Sequence, residues 1–252
     1  MSKQLAIVPA YNESGAIAAT LADLREHVPD FDVVVVDDGS TDDTGLIARK
    51  AGAHVLHLPF NVGIGGAVQA GYLYAAENGY DIAVQVDGDG QHDPRQIAVL
   101  LAHLRANPGL NMVTGSRFLH DKDEAGYRSS VPRRFGIRAF GWLLSRVTGR
   151  PVTDPTSGFR LCDRRAIELF ARDYPHDFPE VEAVLMIHAH RLNGDEVAVR
   201  MRARAAGVSS INASRSVLYM VKVTLALLVG LMRARPAIEA GDPAAVAADR
   251  TI

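Results

Sequence analysis

Cysteine is almost missing from this chain: Cys162 is the only one in 252 residues. An internal disulfide and any multi-cysteine metal site are therefore excluded. Net charge is nearly missing too, since 27 basic residues stand against 29 acidic ones for a formal charge of -2. No global basic field draws the chain to nucleic acid, which is excluded as a partner. The start shows no charged, apolar and cleavage regions in succession but runs within a few residues into Leu5-Ala6-Ile7-Val8. The expectation is a cytoplasmic protein. Internal repeats are absent, and no low-complexity tract precedes the tail. Long apolar runs are absent with one exception, residues 216–232. Lys222 and Thr224 interrupt that run, Arg215 precedes it, and Arg233 and Arg235 follow. At roughly 17 residues it reaches only the lower limit for a bilayer span. A helix lying in the membrane interface, or packed on a membrane partner, fits better; the bland alternative is a core or dimer-interface helix. The Ala-rich, acidic tail after Pro236 reads as disordered.

What is present is an ordinary globular composition, 48% hydrophobic and 22% charged, in a chain long enough for one large α/β domain or two small ones. Apolar runs at 5–8, 32–36, 53–58, 82–86 and 110–114 read as strands, the first stopped by Pro9. Helical patterns fall between them, at 16–27, up to Lys50, at 67–78 after a glycine-rich turn at 61–66, and at 94–106. This alternation predicts an α/β fold with a doubly wound, mostly parallel sheet. The second half is less regular: a polar loop at 120–134, helices at 135–147, 164–171 and 179–192, a turn-rich loop at 153–160, and a strand near 196–201. The division expected is a catalytic domain at 1–212, an apolar helix at 213–235 and a tail at 236–252.

The strand at 82–86 ends in Asp87-Gly88-Asp89-Gly90-Gln91-His92. In an open α/β sheet, ligands bind outside the carboxyl ends of the strands. Two hard oxygen ligands on a tight turn suit a divalent cation shared with substrate phosphates, although Asp-x-Asp alone is also an ordinary solvated turn. Three other strand-end loops carry polar groups: Tyr11 with Glu13, Asp37 with Asp38, and the turn Gly63 to Gly66. The dinucleotide fingerprint is not met, because Val68 stands where a third glycine is needed. Asp38 could accept hydrogen bonds from a base edge; equally, Asp37 and Asp38 could only cap a helix. His92 reads better as a structural residue than as a ligand. His188 and His190, and likewise Glu180 and Glu182, are two apart, so each pair cannot share one helix face.

Six motifs occur in order: Pro9-Ala10-Tyr11-Asn12-Glu13, Val36-Asp37-Asp38-Gly39-Ser40-Thr41-Asp42, Asn61-x-Gly63-x-Gly65-Gly66, Asp87-x-Asp89-Gly90-Gln91-His92-x-Pro94, Gly115-Ser116-Arg117-Phe118 and Asp154-x-Thr156-Ser157-Gly158-Phe159-Arg160. Together they resemble glycosyltransferase family 2, with a GT-A fold, and within it the polyprenyl-phosphate sugar synthases of the dolichol-phosphate mannose synthase type. The resemblance covers about residues 4–212. It implies inverting transfer of a sugar from a UDP- or GDP-linked donor to a polyprenyl or dolichyl phosphate, with Mg²⁺ or Mn²⁺. It also implies, by position, that Pro9, Tyr11, Glu13 and Asp38 line the nucleoside pocket, and that Asp87, Gly88, Asp89 and Gln91 sit at the metal and diphosphate, the metal falling to Asp87, Asp89 and Gln91. Arg117 and Arg133 or Arg134 would hold phosphates, Asp154 to Arg160 would border an acceptor site, and Glu182 matches an acidic position on a helix beside it.

A lipid phosphate is already ionised, so it needs arginines to position it more than it needs a base. A hydroxyl acceptor would need a carboxylate base, with Asp154 and then Glu182 the candidates. One departure stands out. Synthases of this type often carry Gly-x-Ser-Lys after the last strand, whereas the run here is Gly207-Val208-Ser209-Ser210. Arg202 or Arg204 is the expected substitute for the lysine, and a saccharide or other hydroxyl acceptor is the alternative function. The partners expected are a nucleotide-sugar donor, a lipid phosphate, and a membrane surface or small membrane protein, with a homo-oligomer allowed. The location expected is the inner face of the membrane, bound peripherally.

Overall fold

The structure is a computed structural model, and it describes residues 2–119, 131–176 and 178–202, with the side chains of 131–139 outside the description. Seven strands form one sheet in the order β3-β2-β1-β4-β6-β5-β7. They are β1 (Gln4–Ala10), β2 (Phe31–Asp37), β3 (His54–His57), β4 (Ile82–Gln85), β5 (Met112–Ser116), β6 (Arg160–Asp163) and β7 (Gly194–Ala198). The helices are α1 (Ile17–His27), α2 (Thr44–Lys50), α3 (Gly63–Glu77), α4 (Ile97–Ala106), α5 (Val131–Thr148), α6 (Arg164–Arg172) and α7 (Pro179–Ala189). A 3₁₀ turn, Pro94–Gln96, leads into α4.

Strand alternation puts a core on each side of the sheet. Leu5, Ile7, Val34, Val36, Ala83, Met112 and Cys162 point to one face, under α3, α6 and α7. Ala6, Val8, Val35, Val84, Val113 and Leu161 point to the other, under α1 and α4. The strands are apolar on both sides because helices cover both sides, as the valine run 33–36 implies.

All pairings are parallel except those of β6, which runs antiparallel to both β4 and β5. Two reversals cancel, so β5 and β7 run in the same direction as β1 to β4. The carboxyl ends of β1, β2, β4 and β5 therefore share one edge, and the amino end of β6 joins them there. The sequence reading does not include β6. Its four residues begin with an arginine, and nothing apolar precedes them except Phe159.

Pro9 does not stop β1, which continues to Ala10 in register with Asp37. Ile7 O accepts from Val86 N at 2.9 Å and Pro9 O from Gly88 N at 3.3 Å, so Pro9 faces the β4 side. The β1–β4 ladder ends at Gln85. Pro9 lacks its N–H where no ladder partner remains to receive it.

The glycine-rich segment is not a turn ahead of α3; Gly63 to Gly66 form its first turn. A Cβ at Gly65 would lie 2.3 Å from Pro175 O, so the helix start is pressed against the loop before α7. Farther along, a Cβ at Gly71 would lie 2.2 Å from Cγ2 of Ile7. The segments 207–210 and 213–252 lie outside the described residues, as does the loop 120–130. Among the described residues no helix is long and apolar enough to cross a membrane.

Gly71→Ala will overpack the α3–β1 contact. Because Ile7 is fully buried and branched at Cβ, relief requires a backbone shift costing about 1–3 kcal/mol. Urea denaturation should show that loss; unchanged stability would contradict the close approach.

Candidate active site

The donor-side loops are knit by short polar side chains. Asn12, at φ 55°, takes a left-handed conformation, and its Oδ1 accepts from Thr41 N at 2.9 Å. Asn12 N donates to Ser40 Oγ at 3.0 Å, and Glu13 N donates to Thr44 Oγ1 at 2.8 Å. Glu13 O accepts from Ala16 N and Ile17 N, so this residue opens α1. Burial acts to raise the Asp42 pKa, but hydrogen bonds from Thr44 and Ser14 bring it down to about 2. Tyr11 projects from this frame, 46% exposed.

Asp37 and Asp38 do different work. Asp37 is buried and accepts from Ser40 N at 3.1 Å, with His57 Nδ1 at 2.9 Å. Burial pushes its pKa up, and the Ser40 and His57 hydrogen bonds more than reverse this, leaving it lowered. Asp38 accepts from Val62 N at 2.8 Å and Gly63 N at 3.0 Å, one on each oxygen. It thus caps α3, a helix distant in sequence, and the orphan amides of that helix find their partner. Burial nevertheless holds its pKa above the usual value, against those two hydrogen bonds. Each oxygen keeps a second lone pair.

At the end of β4, the Asp87 side chain is 34% exposed while Asp89 is buried. Asp89 Oδ1 accepts from Gln91 N at 2.9 Å, a tight turn that fixes this carboxylate. Asp87 Oδ1 accepts from Gln85 Nε2 at 3.2 Å. His92 governs the backbone: its Nδ1 accepts from Asp87 N at 3.0 Å. A ring nitrogen that accepts from an amide carries no proton, so the N–H is on Nε2, 3.6 Å from Asp87 Oδ2. Phe159 stacks on the ring with centroids 4.7 Å apart. His92 is therefore structural, as the sequence suggests. Gly88 turns inward: its N–H goes to Pro9 O and its carbonyl accepts from Thr20 Oγ1 at 3.2 Å. Gly158 closes the floor, since a Cβ there would lie 2.9 Å from Gln85 Nε2 and 3.6 Å from Asp87 Oδ1.

Arg117 and Asp154 are a bidentate pair, with Nε to Oδ2 at 2.6 Å and one terminal nitrogen to Oδ1 at 2.8 Å. The same nitrogen reaches Thr156 Oγ1 at 2.9 Å. The Asp154 side chain is 0% exposed and that of Arg117 11%. Asp154 has the geometry of an anchor for Arg117. Glu196 on β7 holds the turn in place, accepting from Thr153 N at 2.8 Å, Thr153 Oγ1 at 2.5 Å and Asp154 N at 3.2 Å. Burial raises the Glu196 pKa despite the Thr153 hydrogen bonds.

Glu180 also belongs to this region. Burial raises its pKa, and its carboxylate feels Arg160, Asp87 and Arg117. Arg160, 1% exposed, donates to the carbonyls of Pro179 and Glu180. The sequence favours Glu182 by position; Glu180 and Glu182 are both half-buried in the first turn of α7, two residues apart. Neither Glu196 nor His92's backbone contact has a local sequence signal, because each partner arrives from a distant element.

Gln91 is half-buried, and its carbonyl accepts from Arg202 N at 2.9 Å, closing the returning chain on the carboxylate turn. The Arg202 guanidinium is committed elsewhere, to Asp23 at 2.5 Å and Asp93 at 2.9 Å. It is not placed as the substitute for the absent lysine. Arg204 and the side chains of Arg133 and Arg134 lie outside the described residues. A cavity of about 360 Å³ between α7, β7 and the end of α5 includes Glu196 in its lining, but none of Asp38, Asp87, Asp89 or Arg117.

Among the described residues there is no group of three or more His, Cys, Asp or Glu able to hold a metal. A cation here would rest on Asp87 and Asp89 plus the phosphates of a ligand. That donor set is usual for Mg²⁺.

A mostly parallel sheet with carboxylates just beyond the ends of β1, β2 and β4, and the Arg117–Asp154 pair beyond β5, defines an α/β fold with one polar sheet edge. Its solved neighbours have the GT-A fold of glycosyltransferases. The chain belongs to glycosyltransferase family 2: the family model "Glycosyl transferase family 2" matches residues 5–170. It is 39% identical over 162 residues to the undecaprenyl-phosphate mannosyltransferase of Micrococcus luteus, covering 62% of this chain and 64% of that one. It is 30% identical over 174 residues to the polyprenol monophosphomannose synthase of Mycolicibacterium smegmatis, covering 66% and 63%. The match thus spans less than two thirds of either relative. The glucosyl-3-phosphoglycerate synthase of Mycobacterium tuberculosis, solved with Mn²⁺, UDP-glucose and phosphoglyceric acid, superposes with a TM-score of 0.70. That likeness is at 22% identity, covering 95% of this chain and 82% of that one, and speaks for the fold.

Arg117→Ala will strand a fully buried carboxylate. Breaking a buried pair from one side costs about 3–5 kcal/mol, and chemical denaturation should find a loss of that size. A loss below about 1 kcal/mol, as for exposed pairs, would show that Asp154 has another anchor.

Proposed function

We propose that this protein transfers a hexosyl group, with inversion, from a nucleoside-diphosphate sugar to a polyprenyl phosphate. The observation that carries the reading is the position of two carboxylates, Asp87 and Asp89, at the end of β4, between the loops holding Tyr11 and Asp38 and the Arg117 guanidinium fixed by Asp154. The names of the two polyprenyl-phosphate relatives support the acceptor class, and Mn²⁺ in the solved neighbour supports a divalent metal.

Asp87 and Asp89 would hold Mg²⁺ or Mn²⁺, which when bound offsets the charge developing on the departing nucleoside diphosphate. Asp38 would accept from an N–H of the base, using the lone pairs left after it caps α3. Tyr11 would cover the base with its exposed ring, while Pro9 and Glu13 set the loop's path. Gln91 fixes Asp89 through its amide. Gly88 serves by letting the turn approach β1 and α1, where a Cβ would lie 3.2 Å from Pro9 O. Arg117, held by Asp154 and Thr156, would meet a phosphate oxygen. Arg134 and Arg204 are proposed as further phosphate contacts, from segments adjoining the site in sequence.

The acceptor phosphate is ionised at neutral pH, so the reaction asks for orientation and charge placement. The described site offers that: Asp154 is sealed and paired, a poor base and a good anchor. This favours a phosphate over a hydroxyl acceptor, although the run Val208-Ser209-Ser210 lacks the usual lysine. The transfer takes place at the cytoplasmic face of the membrane, with the protein bound peripherally.

Asp89→Asn should lose transfer of radiolabelled sugar into polyprenyl phosphate by at least a hundredfold while keeping the native circular dichroism spectrum. Metal chelation should do the same to the unaltered protein, and Mg²⁺ or Mn²⁺ should restore it. Full activity in either case would remove the metal from the mechanism. Donor hydrolysis or a sugar-linked hydroxyl product, with no lipid product, would move the acceptor to the saccharide class.

A further inference from the structure

The cavity of about 360 Å³ beside α7 lies outside the polar sheet edge. Its floor is the β5–β7 pair, where Met112 stands beside Gly194 and Thr114 beside Glu196. Side chains two apart on a strand share a face. Met112 packs under α7 with Ile187, so Thr114 and Glu196 face α7 as well. Val184 and Ile187 of α7, with Val152, form apolar walls. The missing side chain of Gly194 keeps the space open. A Cβ there would meet nothing nearer than 3.6 Å, at Ile187 Cγ2 and Met112 Cε, and the backbone has no positive φ that asks for glycine.

Two polar groups stand at the inner wall. Thr114 is 3% exposed, and among the described residues its hydroxyl has no hydrogen-bond partner. A buried hydroxyl is ordinarily met by protein or by something in the space beside it. On Glu196, Oε2 accepts from both Thr153 N and Thr153 Oγ1, whereas Oε1 accepts only from Asp154 N and keeps a lone pair. The rim is cationic. Arg150 donates to Gly194 O at 3.2 Å and to Asn193 Oδ1 at 2.9 Å, both uncharged. Neither Arg150 nor Arg191 has a carboxylate partner among the described residues. Asp195 is turned to His103, at 2.9 Å.

We propose that this cavity binds a small organic acid with an apolar body and a hydroxyl, the hydroxyl at Thr114 and Glu196 and the acid group at Arg150 and Arg191. Ligand pockets run from about 300 to 1,000 Å³, and this one lies at the small end, so the occupant is a single-ring molecule rather than a lipid or a nucleotide. Because Glu196 also holds Thr153 and Asp154, an occupant in contact with it makes that turn firmer. The consequence for transfer rests on Arg117 serving the acceptor; the binding does not.

The probe is para-hydroxyphenylpropionate, titrated into the full-length protein near neutral pH and followed by ligand-observed NMR. It should bind saturably. The para-methyl acid, which lacks the hydroxyl, and para-hydroxyphenylpropanol, which lacks the acid, should each bind about fivefold more weakly. Gly194→Leu fills the void and should abolish binding of all three. Thr114→Val should cost the hydroxylated acid about fivefold and leave the para-methyl acid unchanged. Arg191→Asn, which suits the left-handed backbone there at φ 57°, should weaken both acids and spare the alcohol. Hydrogen exchange at the Thr153 and Asp154 amides should slow when the acid is bound. No binding of any probe by the unaltered protein overturns the proposal, as does binding that survives Gly194→Leu. Affinities untouched by both Thr114→Val and Arg191→Asn overturn it without relying on the bulkier variant. Binding with unchanged exchange at those two amides overturns the link to Arg117. None of these outcomes uses transfer, so each stands if the polyprenyl-phosphate reading fails.

Discussion

The buried pair between Arg117 and Asp154 is the contact on which the acceptor half of the site depends. A carboxylate with no exposure is tolerable only when its charge and its lone pairs are met. Arg117 meets both, and Thr156 and the Arg117 amide complete the shell. Glu196 then fixes the backbone of the same turn from β7, and Ser145 fixes it from α5. Three elements separated in sequence thus converge on residues 152–156. Arg117 faces the site with little freedom, which suits a group that must place a phosphate within a few tenths of an ångström of its best position.

The antiparallel strand β6 makes that convergence geometrically possible. Had the chain continued with parallel strands alone, residues 154–160 would have ended at the far side of the sheet. Running β6 backwards between β4 and β5 delivers Gly158 to Asp87 and Phe159 to His92. The cost is a buried cation, Arg160, at the first position of the strand. Among the described residues its Nε finds no hydrogen-bond partner, and its terminal nitrogens are met by carbonyls at the start of α7. Those contacts tie α7, and with it Glu180, to the floor of the site.

The donor half was legible in the sequence because each of its parts is local. A valine run ends in Asp37-Asp38, another apolar run ends in Asp87-Gly88-Asp89, and parallel order alone brings them to one edge. The acceptor half was less legible because its parts define one another. Asp154 looks like a free acid until Arg117 is beside it, and Arg202 looks like a free cation until Asp23 and Asp93 are. The expectation at Glu182 came from position in a motif, and Glu180, whose carboxylate feels Asp87, carries no such signal. The glycines at 63–66 read as a loop because glycine disfavours helix interiors. They open α3, and Gly65 is glycine because Pro175 leaves no room for a side chain there, while Gly63 has open space.

This division of the site also bears on substrate choice. The donor frame is built from strand ends and a helix start, all fixed by the two cores. The acceptor frame is built from a returning loop, an antiparallel strand and two helices. Such parts can vary while the donor frame is retained. This chain shares the fold of a neighbour solved with phosphoglyceric acid, and it is similar in sequence to relatives named for polyprenyl compounds. In this chain the frame around Arg117 extends to α5, whose Ser145 and Gly141 meet the turn at Val152. The strand-end loops are held by the sheet, whereas residues 152–156 are held by β5, β7 and α5 together. The turn that positions Arg117 therefore also seats α5, and a change in either is felt by the other.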